Sequence, residues 1–431
     1  MNVTERLSRI GSAIFTILVL IAILSTIAYG AVDTGTWSVI SLAIGCVAVL
    51  WLIGSIRSGV FAVSMNLLQL PVLVLVLIGV IQLIPIESTR SLDPYNTRLF
   101  LIRLVCFAVF FAACLVFIDT KRRISVVAIG SIIFGSLMAF VGTLQRLASP
   151  DAIYGLREPD QAIPFGPFVN QHHFAAFMEM TGAMAVAFLL TRSLRNEKKL
   201  FIAIAAVLMA LACVLTSSRG GLACFVVGIS VVAFLSRTIG HNASGKESVS
   251  RKMLLFAALG FAAAVVAMVV FVGGDQSLLR GIGLDQVSGD VTNGRLHFWS
   301  VALRIFAANP FLGAGLDAFG VAFTKHDTWN GVFRVENAHN EYLQFLAEGG
   351  VVAFSAVIAF VIFFVRKAIK NIQETSDDLL RTCAIGSFGG CVAIMLHSMV
   401  DFPLRTPSNA FIFLLLVTVA TMTSKIRSAA S

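Results

Sequence analysis

Apolar runs of about 20 residues recur along the whole chain, and they limit what it can fold into. A helix of that length crosses the ~30 Å hydrocarbon layer of a bilayer. Of the 431 residues, 58% are hydrophobic and only 13% are charged. The sequence therefore predicts an integral membrane protein of the all-α polytopic class.

The hydropathy pattern predicts about twelve transmembrane helices. They cover residues 11–30, 36–54, 67–85, 99–118, 124–145, 167–190, 200–216, 221–236, 253–273, 351–365, 382–400 and 408–424. We expect a single membrane domain over residues 1–431. Its largest segment between spans is residues 274–350, which we expect to form a cap of short helices between the ninth and tenth spans.

The charge distribution predicts the orientation of these spans. With the amino terminus inside, the inner segments hold 20 Lys and Arg against 7 Asp and Glu, a net charge of +13. The outer segments hold 11 against 15, a net charge of −4, and Arg103 and Glu179 inside spans cancel. Basic residues concentrate on the cytoplasmic side of membrane proteins. The overall charge of +9 is thus an orientation signal, and no nucleic-acid partner is needed to explain it.

Under this topology, polar residues gather at the outer face. The segment 274–350 ends with ENAHNEYLQFLAEGG, which predicts a short helix with His339 in its first turn and a glycine pair at its end. Three other polar stretches lie on the same side: FGPFVNQHHFAAF, TSSRGG and HSMVDFPLR. Six histidines lie at or beyond this face: His172, His173, His297, His326, His339 and His397. Any chemistry is therefore expected there.

Five motifs, in this order, resemble the O-antigen ligase and O-antigen polymerase superfamily: FVNQHHFA, SSRGG, GRLHFW, NPFLGAGLDAFG and AHNEYLQFLAEGG. The resemblance implies a glycosyltransferase of the bacterial inner membrane with a periplasmic active face. The donor it implies is a glycan on undecaprenyl diphosphate. The acceptor is lipid A core in a ligase, or a growing lipid-linked or exopolysaccharide chain in a polymerase. It also implies that His339 is the essential histidine and that Arg219 and Arg295 bind the diphosphate.

The residue types agree with that chemistry. Displacing a lipid diphosphate from a sugar requires cations on the departing charge, a base for the acceptor hydroxyl and a groove open to lipid. Arg219 and Arg295 are each predicted near a helix start, where free N–H groups favour anions, and a guanidinium can bind two phosphate oxygens. His339 carries an imidazole, the side chain best suited to take a proton near neutral pH.

Further substrate contacts are expected from Asn170, His172, His173, Asn340 and Glu336. Adjacent residues on a helix point about 100° apart, so we expect only one of the two histidines to face a given groove. Pocket lining and packing remain alternatives for that pair. Two charges inside spans, Arg103 and Glu179, are interpreted as structural or functional, and a salt bridge between them is one hypothesis.

Each assignment has a structural alternative. Arg219 could be a snorkelling residue at the membrane boundary, Arg295 part of an interfacial helix, and His339 a structural histidine. The outer loops hold no DxD pair, so we expect metal-independent transfer without a cofactor. The glycines of FLGAGLDAFG are interpreted as a tight turn, because the GK[ST] ending of a phosphate loop is missing. A transporter is the alternative function, but it would place polar residues at the bilayer midplane.

Overall fold

The computed structural model describes residues 3–86, 91–159, 162–191, 194–238, 294–329 and 334–422. Over these ranges the chain is helical and contains no strand beyond isolated bridges, which confirms the all-α class. The helices are α1 (Val3–Ile27), α2 (Thr34–Ser58), α3 (Gln69–Gln82), α4 (Pro94–Phe117), α5 (Lys121–Ala148), α6 (Gln171–Leu190), α7 (Asn196–Leu215), α8 (Arg219–Thr238), α9 (Arg295–Ala308), α10 (Phe319–His326), α11 (Glu341–Glu374), α12 (Asp378–His397) and α13 (Pro407–Met422).

Nine helices in the described ranges are long and apolar enough to cross a membrane: α1, α2, α4 to α8, α11 and α12. The protein is therefore a multi-pass membrane protein. Two shorter apolar helices, α3 and α13, have 14 and 16 residues. Each of these eleven helices overlaps one predicted span. The remaining predicted span, residues 253–273, lies outside the described residues, so the count of twelve stays a prediction.

The loops between the helices meet in two separate groups at opposite ends of the bundle. At one end the Glu341 N–H donates to the Ser398 carbonyl at 2.8 Å, and Gln82 Nε2 donates to the Glu348 carbonyl at 2.8 Å. At the other end Lys121 pairs with Asp377 at 2.5 Å. Loops that the charge distribution assigns to the same side thus contact each other, and which end faces the periplasm stays a prediction.

Two helices, α6 and α12, form the centre of the bundle. Their membrane windows are 83% and 78% buried, far more than those of the other candidate spans. Glycine allows the two backbones to approach closely, because a Cβ at Gly390 would lie 2.7 Å from the Met180 carbonyl oxygen. The start of α6 and the end of α12 therefore lie side by side, and both carry polar residues of the candidate site.

The segment before α11 folds against the end of the bundle that holds those residues. A small separate core joins α9, α10 and the start of α11 through Val301, Ile305, Phe319, Phe323, Ala338 and Ala347. Gly350 has φ 65° and ψ −165° and breaks α11, as the predicted glycine pair requires. A Cβ at Gly350 would lie 2.3 Å from the Phe311 backbone. Gly313 and Gly315 have φ values of 70° and 119°, and the Ala314 N–H donates to the Ala347 carbonyl at 2.9 Å. The glycines therefore form a turn that packs against α11, as predicted.

Candidate functional site

His339 lies just before α11 and not in its first turn, so that prediction is wrong. The helix begins at Glu341, and Asn340 is its N-cap, with Oδ1 accepting the Leu343 N–H at 3.1 Å. His339 itself has φ 50°, in the left-handed region that residues other than glycine rarely adopt. The side chain of Asn340 sets the start of the helix, because a short polar side chain satisfies a free N–H there. His339 therefore stands at the end of a loop.

His339 meets a buried carboxylate and an arginine. Its Nδ1 lies 3.3 Å from Asp401 Oδ1, and the other carboxylate oxygen, Oδ2, lies 3.8 Å from Arg295 Nη2. The side chain of Asp401 is 1% exposed, whereas those of His339 and Arg295 are 31% and 29% exposed. A neutral imidazole that donates Nδ1–H to the carboxylate keeps a lone pair on Nε2. The arrangement orients the imidazole of His339 and leaves part of its side chain open to a ligand.

Asp401 is held in its charged form by its neighbours. Burial alone would raise the pKa of its carboxyl. The hydrogen bond with His339, together with the electrostatic effect of the neighbouring rings of His173 and His172, outweighs burial and holds this pKa well below its usual range. Asp401 is therefore a carboxylate at neutral pH, able to orient His339 and to stabilise it when protonated.

Aromatic rings fix the imidazole of His339. The Phe402 ring lies edge-on to it with centroids 4.9 Å apart, and the Phe298 ring lies at 6.1 Å. Phe402 also contacts the ring of His173, again at 4.9 Å. These rings restrict the rotamers of His339 without covering it, so its orientation is defined by packing as well as by Asp401.

Arg219 is the first residue of α8, as predicted for a turn at the start of a span. Its side chain is exposed, and it forms no ion pair with any residue in the described ranges. Ser218 Oγ accepts the Gly221 N–H at 3.2 Å and contacts His172 Nδ1 at 2.9 Å. The turn therefore packs beside the start of α6, and the guanidinium of Arg219 remains available to a ligand.

The two adjacent histidines have different environments, as their angular separation predicts. His172 faces the turn before Arg219, whereas His173 is buried and contacts Thr406 Oγ1 through Nδ1 at 2.6 Å. Asn170 is the N-cap of α6, and its Oδ1 accepts the His172 N–H at 2.8 Å. The histidine beside Arg219 is thus His172, and His173 packs in the interior.

Glu336 stands apart from this group. It is exposed and pairs with Arg334 at 2.6 Å. The role of Glu336 in binding a substrate stays a prediction, as do those of Asn170, Asn340 and the two histidines.

The hypothesis of a salt bridge between Arg103 and Glu179 is wrong. Glu179 Oε1 contacts His397 Nδ1 at 2.7 Å, and both side chains are buried. Arg103 lies over the ring of Trp37, 5.8 Å from its centroid. The two charges lie on α4 and α6, and α6 packs against α12, which carries His397. Helix packing thus gives Glu179 a different partner from the one suggested by charge alone.

A second buried network supports the loop that carries His339. Gln344 Oε1 accepts the Ala338 N–H at 3.0 Å, and its Nε2 donates to Glu348 Oε1 at 2.9 Å. Glu348 in turn pairs with Arg405 at 2.5 Å. Burial lowers the pKa of Arg405, but the charges of Glu348 and Asp317 outweigh burial and raise it. The backbone before His339 is therefore tied to a fixed cation.

An apolar groove of about 180 Å³ opens beside this network, between α3, α4, α11 and α13. Its walls include Leu75, Leu104, Phe345, Val357, Phe360 and Phe413. At its polar end lie Glu341, Tyr342, Ser398 and Arg405. Because Ser398 and Glu341 are near neighbours of Asp401 and His339 in the chain, the groove leads from the apolar helices toward the candidate base.

Sequence reasoning did not assign a role to Asp401 and did not identify the partner of Glu179. The two residues that it missed are His397 and Asp401. Both lie in the polar stretch HSMVDFPLR, which the sequence places on the same side as His339. An aspartate directly after a span, in a loop expected to face the site, was the available signal. It had no predicted partner, because His339 is 62 residues away in the chain.

A protein-family model described as O-antigen ligase matches residues 204–377. The matched range contains Arg219, Arg295 and His339, whereas Asp401 lies beyond its end. A search of the curated proteins gave no match. The family match, together with the polytopic helical fold, indicates a membrane protein of glycosyltransferase type. Over residues 204–377 the chain is thus similar to the O-antigen ligase family.

Proposed function

We propose that the protein transfers a glycan from a lipid diphosphate donor, of the undecaprenyl type, to an acceptor hydroxyl at the periplasmic face. The observation that carries this proposal is the meeting of His339, Asp401 and Arg295. It joins an accessible imidazole, a buried carboxylate on its Nδ1 atom and a cation. These are the groups that a glycosyl transfer from a diphosphate requires.

In the proposed reaction His339 is the general base. Its Nε2 takes the proton of the acceptor hydroxyl as the hydroxyl oxygen bonds to the anomeric carbon of the donor. The bond from that carbon to the diphosphate oxygen breaks, and its electron pair leaves with the diphosphate. Asp401, which faces Nδ1, keeps the imidazole in the productive tautomer and stabilises the imidazolium that forms.

We assign to Arg295 and Arg219 the role of stabilising the negative charge that develops on the departing diphosphate. Arg295 contacts only one oxygen of Asp401, at 3.8 Å, and it is partly exposed, so its remaining donors can reach a ligand. Arg219 is exposed at the start of α8, where the helix dipole also favours an anion. The polyprenyl chain of the donor would lie in the apolar groove beside α3 and α11.

A ligase and a polymerase share this chemistry and differ in the acceptor. The glycan phenotype of a deletion strain distinguishes them. Unmodified lipid A core with accumulated polymer indicates a ligase, whereas single repeats without polymer indicate a polymerase. Transfer by the purified protein, from a lipid-linked donor to the acceptor so identified, then tests the proposed activity directly.

The proposed side of the site can be tested by labelling. Single cysteines at positions 295 and 339 should react with a membrane-impermeant thiol reagent in spheroplasts, while cysteines at positions 198, 246 and 370 should react only after permeabilisation. The physical reason is the charge difference between the two sides, +13 against −4. Labelling of positions 295 and 339 only after permeabilisation would overturn the periplasmic assignment.

The two arginines should not be replaceable by lysine. Arg219→Lys and Arg295→Lys keep a positive charge but lose the planar fork that binds two phosphate oxygens. We expect each to lose about 10-fold in transfer rate, as for the loss of one charge-assisted hydrogen bond. Arg304→Lys on the exposed side of α9 and Arg237→Lys at the end of α8 are matched controls. Full activity of both test variants would mean that Arg219 and Arg295 only anchor a loop or the membrane boundary and do not bind the diphosphate.

A further inference from the structure

The pair formed by Glu179 and His397 lies at the centre of the bundle and has no role in the mechanism above. Their contact, His397 Nδ1 to Glu179 Oε1, is 2.7 Å long, and the side chains are 1% and 0% exposed. Two ionisable groups so deeply buried cost free energy that two apolar residues would not. A pair of this kind inside a membrane domain therefore points to function.

The protonation state of this pair determines whether the second ring nitrogen, His397 Nε2, donates or accepts a hydrogen bond. A buried pair with no net charge costs least, so the pair carries either a carboxylate with an imidazolium or a carboxylic acid with a neutral imidazole. In the first form both ring nitrogens carry hydrogen. In the second form the acid donates to Nδ1, and the ring hydrogen is on Nε2. In both forms His397 Nε2 is a hydrogen-bond donor.

This donor faces the start of α8. A Cβ built on Gly220 would lie 3.6 Å from both Cδ2 and Nε2 of His397, so that edge of the ring lies against the residue after Arg219. Among the described residues, none accepts a hydrogen bond from His397 Nε2. Within the same ranges, no acceptor contacts the backbone N–H of Gly220. An unpartnered donor on an almost fully buried side chain thus points at a helix N-terminus that begins with an exposed arginine.

The surroundings of this donor favour an anion. Arg219 begins the helix, and Arg295 is close enough to act electrostatically on His397. Gly220 has no side chain, and a Cβ there would lie 3.0 Å from Val400 Cγ2, so glycine keeps the ring edge close to the backbone. The positive end of the helix dipole adds to the two guanidinium groups. Asp401 is a nearby negative charge, and it is already paired with His339 and Arg295.

We propose that His397 donates its Nε2 hydrogen to a phosphate oxygen of the donor lipid bound at the start of α8, and that Glu179 is a positioning residue for this contact. The inference rests on the proposed function, since it adds a third side chain to the diphosphate site. It gives the buried pair a role at the candidate site: Glu179 holds the His397 ring in place, and the ring then presents its Nε2 donor in a fixed direction.

Two substitutions separate binding from structure at this position. In His397→Asn the side-chain amide nitrogen takes the place of Nδ1, which keeps the bond to Glu179 and removes the donor toward Gly220. In His397→Gln the amide nitrogen takes the place of Nε2, which keeps the donor and removes the bond to Glu179. If the pair is purely structural, His397→Asn should impair the protein less than His397→Gln. If His397 contacts phosphate, His397→Gln should bind diphosphate more tightly than His397→Asn.

The measurement is the Kd of the full-length purified chain for farnesyl diphosphate, a short isoprenyl diphosphate, by titration calorimetry in detergent. Farnesol, which lacks phosphate, is the control ligand. We expect His397→Asn to weaken diphosphate binding by about 10- to 100-fold, the loss of one charge-assisted hydrogen bond, and farnesol binding to stay unchanged. His397→Gln should bind within about threefold of the wild type. If His397→Gln does not fold because Glu179 is left unpaired, the double variant Glu179→Gln/His397→Gln replaces it in the titration, since it removes the unpaired carboxyl group.

The outcomes distinguish this inference from the proposed function. Wild-type binding of farnesyl diphosphate that weakens in Arg219→Lys but not in His397→Asn would overturn the role of His397 and leave the diphosphate site intact. Weaker binding in His397→Gln than in His397→Asn would make the pair structural and also overturn it. A wild-type chain that does not prefer farnesyl diphosphate to farnesol would contradict the proposed function itself, and this inference with it.

Discussion

His339→Ala and His339→Asn should each reduce the rate of glycan transfer by about 10²- to 10⁴-fold, the usual cost of removing a general base. Asparagine keeps a polar side chain and can still contact Asp401, but its amide cannot take a proton. Both variants should insert and accumulate normally, because His339 lies outside α11 and the helix is capped by Asn340. Lipid-linked donor should still bind through the two arginines. The measurement is turnover of purified protein with purified donor and acceptor, at matched protein levels.

His326→Asn is a suitable control for this experiment, because that histidine is the last residue of α10. We expect it to keep near-normal turnover. Near-normal turnover by His339→Asn would eliminate the base role at this position. The base would then have to be sought among the other histidines of the same end of the bundle, His172, His173 and His397.

Asp401→Asn should reduce the transfer rate by about 10²-fold or more, since it disables the base indirectly. The new amide donates a hydrogen bond where the carboxylate accepted one. His339 Nδ1 then becomes the acceptor, its hydrogen moves to Nε2, and the atom that faces the ligand can no longer take a proton. The substitution also removes the negative partner of Arg295. Diphosphate binding should fall far less than turnover, which separates this effect from a loss of donor binding.

The segment that contains α9 and α10 offers a matched control for Asp401→Asn. Asp327 Oδ1 contacts His297 Nε2 at 2.7 Å, so Asp327→Asn breaks a comparable pair outside the proposed site. It should leave turnover within about threefold of the wild type, as expected for a pair whose loss costs only modest stability. An equal loss of turnover in both variants would assign the effect of Asp401→Asn to stability.

The pH dependence of stability gives a separate check on Asp401. Its pKa is held below the ordinary value of 3.8, so its contribution to folding is fully present above about pH 4 and is lost only as the pH falls further. Thermal unfolding in detergent should therefore show Asp401→Asn to be destabilised at pH 5 as well as at pH 8. Destabilisation seen at pH 8 but absent at pH 5 would mean that the carboxyl is not held in its charged form.

The sequence by itself determined the class of the protein, the positions of most helices and the polar stretches that meet at one end. These follow from properties local to the chain. An apolar run long enough to cross a bilayer forms a helix because the backbone must satisfy its own hydrogen bonds in lipid. Alternation of the spans then places the stretches around Arg219, Arg295 and His339 on one side. The break of α11 at Gly350 was also readable, because glycine tolerates the backbone angles found there.

Only the tertiary structure decided which polar residues are partners. His339 contacts Asp401 across 62 residues of sequence, and Glu179 contacts His397 across 218. Hydropathy carries no information about which helices are neighbours, so charge alone suggested Arg103 for Glu179. The close packing of α6 on α12 selects His397 instead, since a buried ionisable group is paired with whatever the neighbouring helix presents. The start of α11 was decided in the same way, because the loop tied to Gln344 and Asp401 leaves Asn340, and not His339, in position to cap the helix.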